Sequence, residues 1–201
     1  MVVAFKLGVP GYTSSMRAVF LAVPESFLEE RHRLGHDKSD EVWDGEIHMS
    51  PPPASIHARR QFDLATALNP IASRRGLRPW IETGLFGPFG SNSNYRVPDI
   101  SLATPAQVSK RGLESAALVV EMLSPHDESR AKFPFYAKAG VQEIWLLEPE
   151  SRRHEIHALV EDRYLAIEPD AGNTRSPVLA IELSVVDGVL RLRDGDYVAD
   201  V

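Results

Sequence analysis

One stretch constrains the fold more than any other: AALVVEML at 116–123, a nearly continuous apolar run of strand length with one carboxylate in it. Such a run reads as a β-strand covered on both faces. Side chains alternate along a strand, so Ala117, Val119, Glu121 and Leu123 share one face. Burying an acid among them costs several kcal/mol, or a large upward pKa shift, unless a partner compensates. A bound cation is one such partner and a buried Arg or Lys is another.

Asp99 has the same character. In RVPDISLA it lies on an extended segment with apolar neighbours, directly after a proline that fixes the backbone approach. Two acids on neighbouring strands can converge on one hard divalent ion, with water and phosphate oxygens completing its shell. The chain has no cysteine, which removes disulfides, thiolate zinc sites and cysteine nucleophiles together. Any metal is therefore expected on oxygen or imidazole, with Mg²⁺ or Mn²⁺ favoured.

The flanking patterns supply the architecture. PESFLEERHR predicts a short helix, and EVWDGEIHMS a hairpin about its Asp-Gly turn. Leu64, Leu68 and Ile71 recur at helical spacing over 54–73, with Ser55 expected as N-cap and Pro70 as a kink or an early end. Extended segments are expected at 77–86, 95–103 and 141–150, with a helix closing at Ala139 and Gly140 after it. RHEIHALV, DRYLAIE and VLRLRDGDYV complete a β-rich C-terminal stretch. The alternation predicts an α/β (mixed α+β) fold, a central mixed sheet flanked by helices. At 201 residues it suits one domain, taken as 16–201, with 1–15 as a flexible extension. No apolar run reaches the roughly 18–20 residues of a membrane span; a cytoplasmic protein is expected.

A net charge of −6 argues against a general duplex-coating protein. The basic residues are nevertheless grouped: Arg59 and Arg60, Arg74, Arg75 and Arg78, Arg152 and Arg153, Arg191 and Arg193. Neither GxSxG, a P-loop nor HExxH is present. Trp43, Trp80 and Trp145 are most economically core residues.

YRVPD, VVE-x-LSP, K-x-x-x-Y and AGV-x-E-x-W, in that order and spacing, closely resemble the Uma-type family of candidate restriction endonucleases. That family belongs to the PD-(D/E)XK nuclease superfamily, and the resemblance spans roughly 42–150. It implies that Asp99 and Glu121 are catalytic and hold the metal, with the carbonyl of Met122. The usual lysine would stand at 123, where this chain has Leu123. The resemblance implies a lysine migrated to Lys132, four residues before Tyr136 and so on one helical face with it. Pro134 is compatible if the helix begins near Phe133, with the proline in its first turn. The resemblance also implies Glu46 as a further metal contact and His57 as a group touching phosphate or orienting water. Arg59 and Arg60, and the arginines of 74–78, are candidates for flanking phosphates.

The expected function is Mg²⁺- or Mn²⁺-dependent hydrolysis of nucleic-acid phosphodiesters, DNA before RNA, with a homodimer suiting two cuts on duplex DNA. The alternative is an inactive relative, the same fold kept as a nucleic-acid-binding or dimeric module. A carboxylate-pair glycosidase is a distant third.

Overall fold

The computed structural model describes residues 23–50, 53–89, 94–124 and 128–201; the expected extension at 1–15 lies outside them. In chain order, α1 (Glu25–Leu34) leads to the hairpin β1 (Glu41–Trp43) and β2 (Glu46–His48), then to α2 (Ser55–Ser73). Strands β3 (Arg78–Ile81) and β4 (Ile100–Ala103) follow, then the short pair β5 (Val108–Ser109) and β6 (Gly112–Leu113), then β7 (Leu118–Met122). A 3₁₀ turn at Ser129–Lys132 opens α3 (Phe133–Lys138). Next come β8 (Glu143–Leu147), β9 (His154–Val160) and β10 (Arg163–Ala166), and last β11 (Asn173–Ser176), β12 (Ile181–Val186), β13 (Val189–Asp194) and β14 (Tyr197–Asp200).

The central sheet is mixed, ordered β10-β9-β8-β7-β4-β3. Only β7 and β8 run parallel, with α3 as the crossover between them, and every other pair is antiparallel. All five residues of β7 and of β8 are buried, as expected for strands covered on both faces. Leu118, Val120 and Met122 point one way, into a core with Leu64, Leu68 and Ile71 of α2. Val119 points the other way, against Phe135 and Tyr136 of α3, with Leu123 packed at the margin.

One local expectation changes, and one alternative is decided. The residue at the α2 N-cap is Ala54, not Ser55, and no side chain caps the helix. The helix also runs through Pro70 to Ser73. Proline in a helix interior costs about 3 kcal/mol, and here buried Leu68, Ile71 and Ala72 anchor the last turns.

The larger departure is a second sheet. β11-β12-β13-β14 form a four-stranded antiparallel sheet whose Ile181, Leu183, Leu190 and Leu192 join α2 in covering one face of the central sheet. That face is thus closed by a helix and a sheet, where helices alone were expected. Its β12–β13 turn is Asp187-Gly188, both left-handed (φ 52° and 76°), the conformation that a two-residue hairpin favours.

Candidate metal centre

The candidate site forms where β4 and β7 part at one end of the sheet. Ile100 pairs with Val120 in the last rung of their ladder. Extending that register by one residue sets Asp99 opposite Glu121, on the same face of the sheet. Extending it by two sets Pro98 opposite Met122. Proline has no N–H, so no ladder donor meets the Met122 carbonyl there.

Asp99 is held from three sides. Its Oδ2 accepts the Met122 N–H at 2.6 Å, and its Oδ1 lies 2.8 Å from His57 Nε2. Its backbone carbonyl accepts from Gln61 Nε2 at 2.7 Å and from the Glu82 N–H at 3.2 Å. His57 and Gln61 stand one turn apart on α2, so the helix fixes side chain and main chain of Asp99 together. The hydrogen bond to Asp99 raises the His57 pKa, against the opposing effect of burial.

Glu121 is 3% exposed. Lys132 Nζ lies 3.1 Å from each of its oxygens, and the Tyr136 hydroxyl donates to Oε1. Lys132 closes the 3₁₀ turn, α3 begins at Phe133, and Pro134 sits in its first turn. The four-residue spacing therefore brings Lys132 and Tyr136 to one carboxylate. Burial pushes the Glu121 pKa up to about 8, with Asp99 and Glu41 adding to the rise and Lys132 opposing it. Burial alone would lower the Lys132 pKa, but Glu121 and Glu41 outweigh it and the ammonium is held charged.

A third acid completes the cluster, and it is Glu41 rather than Glu46. Lys132 Nζ lies 2.9 Å from Glu41 Oε1. The same oxygen accepts the Val97 N–H at 2.8 Å, and Oε2 accepts Trp43 Nε1 at 2.7 Å. Glu46 is exposed on β2, opposite Trp43 and beside the turn. It stands two rungs from Glu41, about 7 Å along the hairpin. Arg96 fastens this hairpin to α3: its guanidinium lies between the rings of Trp43 (4.5 Å) and Phe135 (4.3 Å) and donates to the Val42 carbonyl. The burial of Glu41 was not readable from a three-residue strand; its one sequence cue is the acid placed two residues before Trp43.

The arginines divide. Arg74 and Arg75 both bind Asp194, at the far end of α2 from His57. Arg59 pairs with Asp63, Arg153 with Glu148 and Arg191 with Asp200. Arg60 has no hydrogen-bond or ion-pair partner among the described residues.

The family's sequence profile, described as "Uma2: Putative restriction endonuclease", matches residues 24–191. This chain belongs to the Uma2 family. A crystal structure described as a "putative nuclease" from Anabaena variabilis shares its fold, with a TM-score of 0.57 and 19% identity over 76% of this chain and 90% of that one. No curated protein matches the chain.

A divalent ion, as restriction-endonuclease-like families use, fits the donors at this Uma2 site. Asp99, Glu121 and the Met122 carbonyl are all hard oxygen donors. Among the described residues no three acidic or imidazole side chains form a ready ligand cluster, so the main-chain carbonyl would have to complete the set. Each carboxylate oxygen has two lone pairs; a protein donor occupies one on Asp99 Oδ1, Asp99 Oδ2 and Glu121 Oε2, while Glu121 Oε1 accepts from both Lys132 and Tyr136. Two carboxylates against one ammonium, with Asp99 acting on them through its field, leave negative charge that either a proton on Glu121 or a bound cation relieves.

Proposed function

We propose that this Uma2 protein is an endonuclease that hydrolyses phosphodiester bonds in nucleic acid, DNA in the first instance, with Mg²⁺ or Mn²⁺ as cofactor. The observation that carries the reading is the Asp99–Glu121–Lys132 constellation, with Glu121 buried at its centre, in a chain of this family. Asp99, Glu121 and the carbonyl of Met122 would hold the ion. When bound, it would polarise the scissile phosphate and lower the pKa of water.

The protein's own groups do the rest. Lys132, held charged by its two acids, would move toward the phosphate and stabilise the charge developing there. Tyr136 keeps Glu121 oriented while the lysine shifts. His57 and Gln61 keep Asp99 aimed at the strand end, and a protonated His57 has a donor to offer a phosphate oxygen. Arg59 and Arg60, on the same helix, would contact flanking phosphates. Glu46 is at most an outlying contact from its place beside the hairpin turn. A homodimer would set two such sites on opposite strands of a duplex. A cytoplasmic setting and a single domain over 16–201 are part of this proposal; separately, no helix among the described residues is long and apolar enough to cross a membrane.

The test is cleavage of supercoiled plasmid DNA, and of single-stranded DNA and RNA, with Mg²⁺ or Mn²⁺ and with EDTA. Metal-dependent nicking that disappears in Asp99→Asn supports the proposal. No cleavage of any of these substrates by the parent protein would favour the inactive binding module.

A further inference from the structure

Glu41 is the acid of the cluster that the proposed chemistry leaves without a task. It opens β1 and is only 4% exposed. The chain around it is fastened first. Asp40 accepts from Nε and Nη2 of Arg31 and from the Ser50 N–H, which closes the base of the hairpin. Val42 exchanges main-chain hydrogen bonds with Tyr95, so β1 lies along the segment that leads to Asp99. From this place Glu41 Oε1 accepts the Val97 N–H and Oε2 accepts Trp43 Nε1. Neutral donors thus fix both oxygens before the lysine is counted.

Lys132 is the third partner of this carboxylate. An ammonium has three N–H donors. Three carboxylate oxygens stand within reach of Nζ: Glu41 Oε1 at 2.9 Å and the two Glu121 oxygens at 3.1 Å each. The lysine side chain is only 13% exposed, so water offers it little in exchange. The two acids are not equivalent. Glu121 belongs to the proposed metal set, and an ammonium on the same oxygens as a divalent ion is repelled by it. Glu41 stands outside that set. A lysine released from both acids would be a flexible four-carbon chain with no fixed direction.

We infer that Glu41 is the positioning residue of Lys132: it keeps hold of the ammonium once Glu121 is given over to a metal, and so sets where the lysine meets the phosphate. The inference rests on the nuclease reading. It gives the hairpin a part in the chemistry, because Trp43 of β1 and Val97, two residues before Asp99, aim the Glu41 carboxylate. Lys132 then pivots about Glu41 rather than swinging free.

The test follows the ammonium itself, by proton–nitrogen NMR of protein carrying isotope-labelled lysine, with Lys132→Ala to assign the signal. In the parent the Lys132 signal should be visible, shift on saturation with Mg²⁺ and persist. Glu41→Gln keeps the size of the side chain and one acceptor oxygen. Its Lys132 signal should be present without Mg²⁺ and lost to exchange with it. A parent that lacks the signal, before or after Mg²⁺, would overturn the inference, as would survival of the signal in the Mg²⁺-loaded variant. The parent measurement decides alone if Glu41→Gln does not fold.

Single-turnover cleavage gives a second readout. Glu41→Gln should slow the parent roughly tenfold, the scale of one charge-assisted hydrogen bond, and change little in a Lys132→Ala background. Equal slowing in both backgrounds would mean that Glu41 acts through the fold and not through the lysine. A parent that binds Mg²⁺ and cuts, with equal slowing, removes the role of Glu41 and leaves the nuclease. A parent that neither binds Mg²⁺ nor cuts ends the nuclease reading, and this inference with it.

Discussion

Glu121 and Glu143 are both buried glutamates on adjacent parallel strands, 3% and 0% exposed, and burial raises the pKa of each. Their company differs. Glu143 faces the α2 side, where it accepts from Trp145 Nε1, the Val178 N–H and Ser176, neutral groups that tie the central sheet to the segment around the start of the second sheet. Glu121 faces α3 and meets an ammonium, a phenol and the fields of two more acids. A buried acid among neutral donors is a staple. One surrounded by other ionisable groups is held in a balance that a proton, a metal or a substrate can tip. Burial alone therefore does not mark a site; charged company does.

The sharpest way to break this contrast is to neutralise each glutamate in turn. Glu121→Gln should reduce metal-dependent cleavage by at least about 10³-fold, as loss of a group acting at the reacting centre does. Glu143→Gln should leave turnover per folded molecule within about twofold of the parent, being remote from the chemistry. Equal losses in single-turnover assays would dissolve the distinction.

The next test concerns the lysine. Lys132→Ala should lower turnover by ~10²–10³, the scale for a charge-stabilising donor. Metal affinity should be unchanged or tighter, because the carboxylates lose a competing cation. Adding Leu123→Lys to that variant should return part of the rate, since residue 123 lies on the Glu121 face of β7. Parental rates in Lys132→Ala would leave the lysine as a structural counter-ion only.

The smallest expected effect belongs to the staple and is read in stability. Glu143→Ala should cost about 1–3 kcal/mol, because the Trp145 and Val178 N–H groups remain buried without an acceptor. The pH dependence has a definite sign. The Glu143 pKa is raised in the fold, so over the range from about its ordinary 4.5 upward the native state holds a proton that the unfolded chain has lost. Parental stability should therefore fall with rising pH relative to Glu143→Gln, until the raised pKa is passed and the difference levels off. Urea titrations of both proteins from pH 4 to 8 check this. A difference that stays constant, or grows in the parent's favour as pH rises, would contradict the assigned environment.

Much of this frame was legible from particular residues. The alternation in LVVEM and the Pro-Asp step gave both acids and the face they share. The family resemblance pointed to Lys132, and its four-residue spacing put it on one helical face with Tyr136; in the structure both side chains meet Glu121. Glu41 was hidden because three-residue strands carry too little periodicity to separate a buried acid from an exposed one. The second sheet was hidden for a related reason. NTRS and IELSVV bury alternate residues only against distant parts of the chain: Thr174 meets His154, Ser176 meets Glu143, and Ile181 and Leu183 join the core that holds α2. Arg74 and Arg75 were candidates for flanking phosphates, but they hold β13 through Asp194, a contact 119–120 residues apart that no local pattern announces.

The central claim is that Asp99 and Glu121 form a divalent-metal site and that Glu143 does not. Titration with Mn²⁺, followed by the electron paramagnetic resonance signal of the free ion, tests it most directly. The account predicts one bound ion per chain in the parent and in Glu143→Gln, and none in Asp99→Asn or Glu121→Gln at the same concentrations. No binding by the parent, or binding that survives both site substitutions, would contradict it.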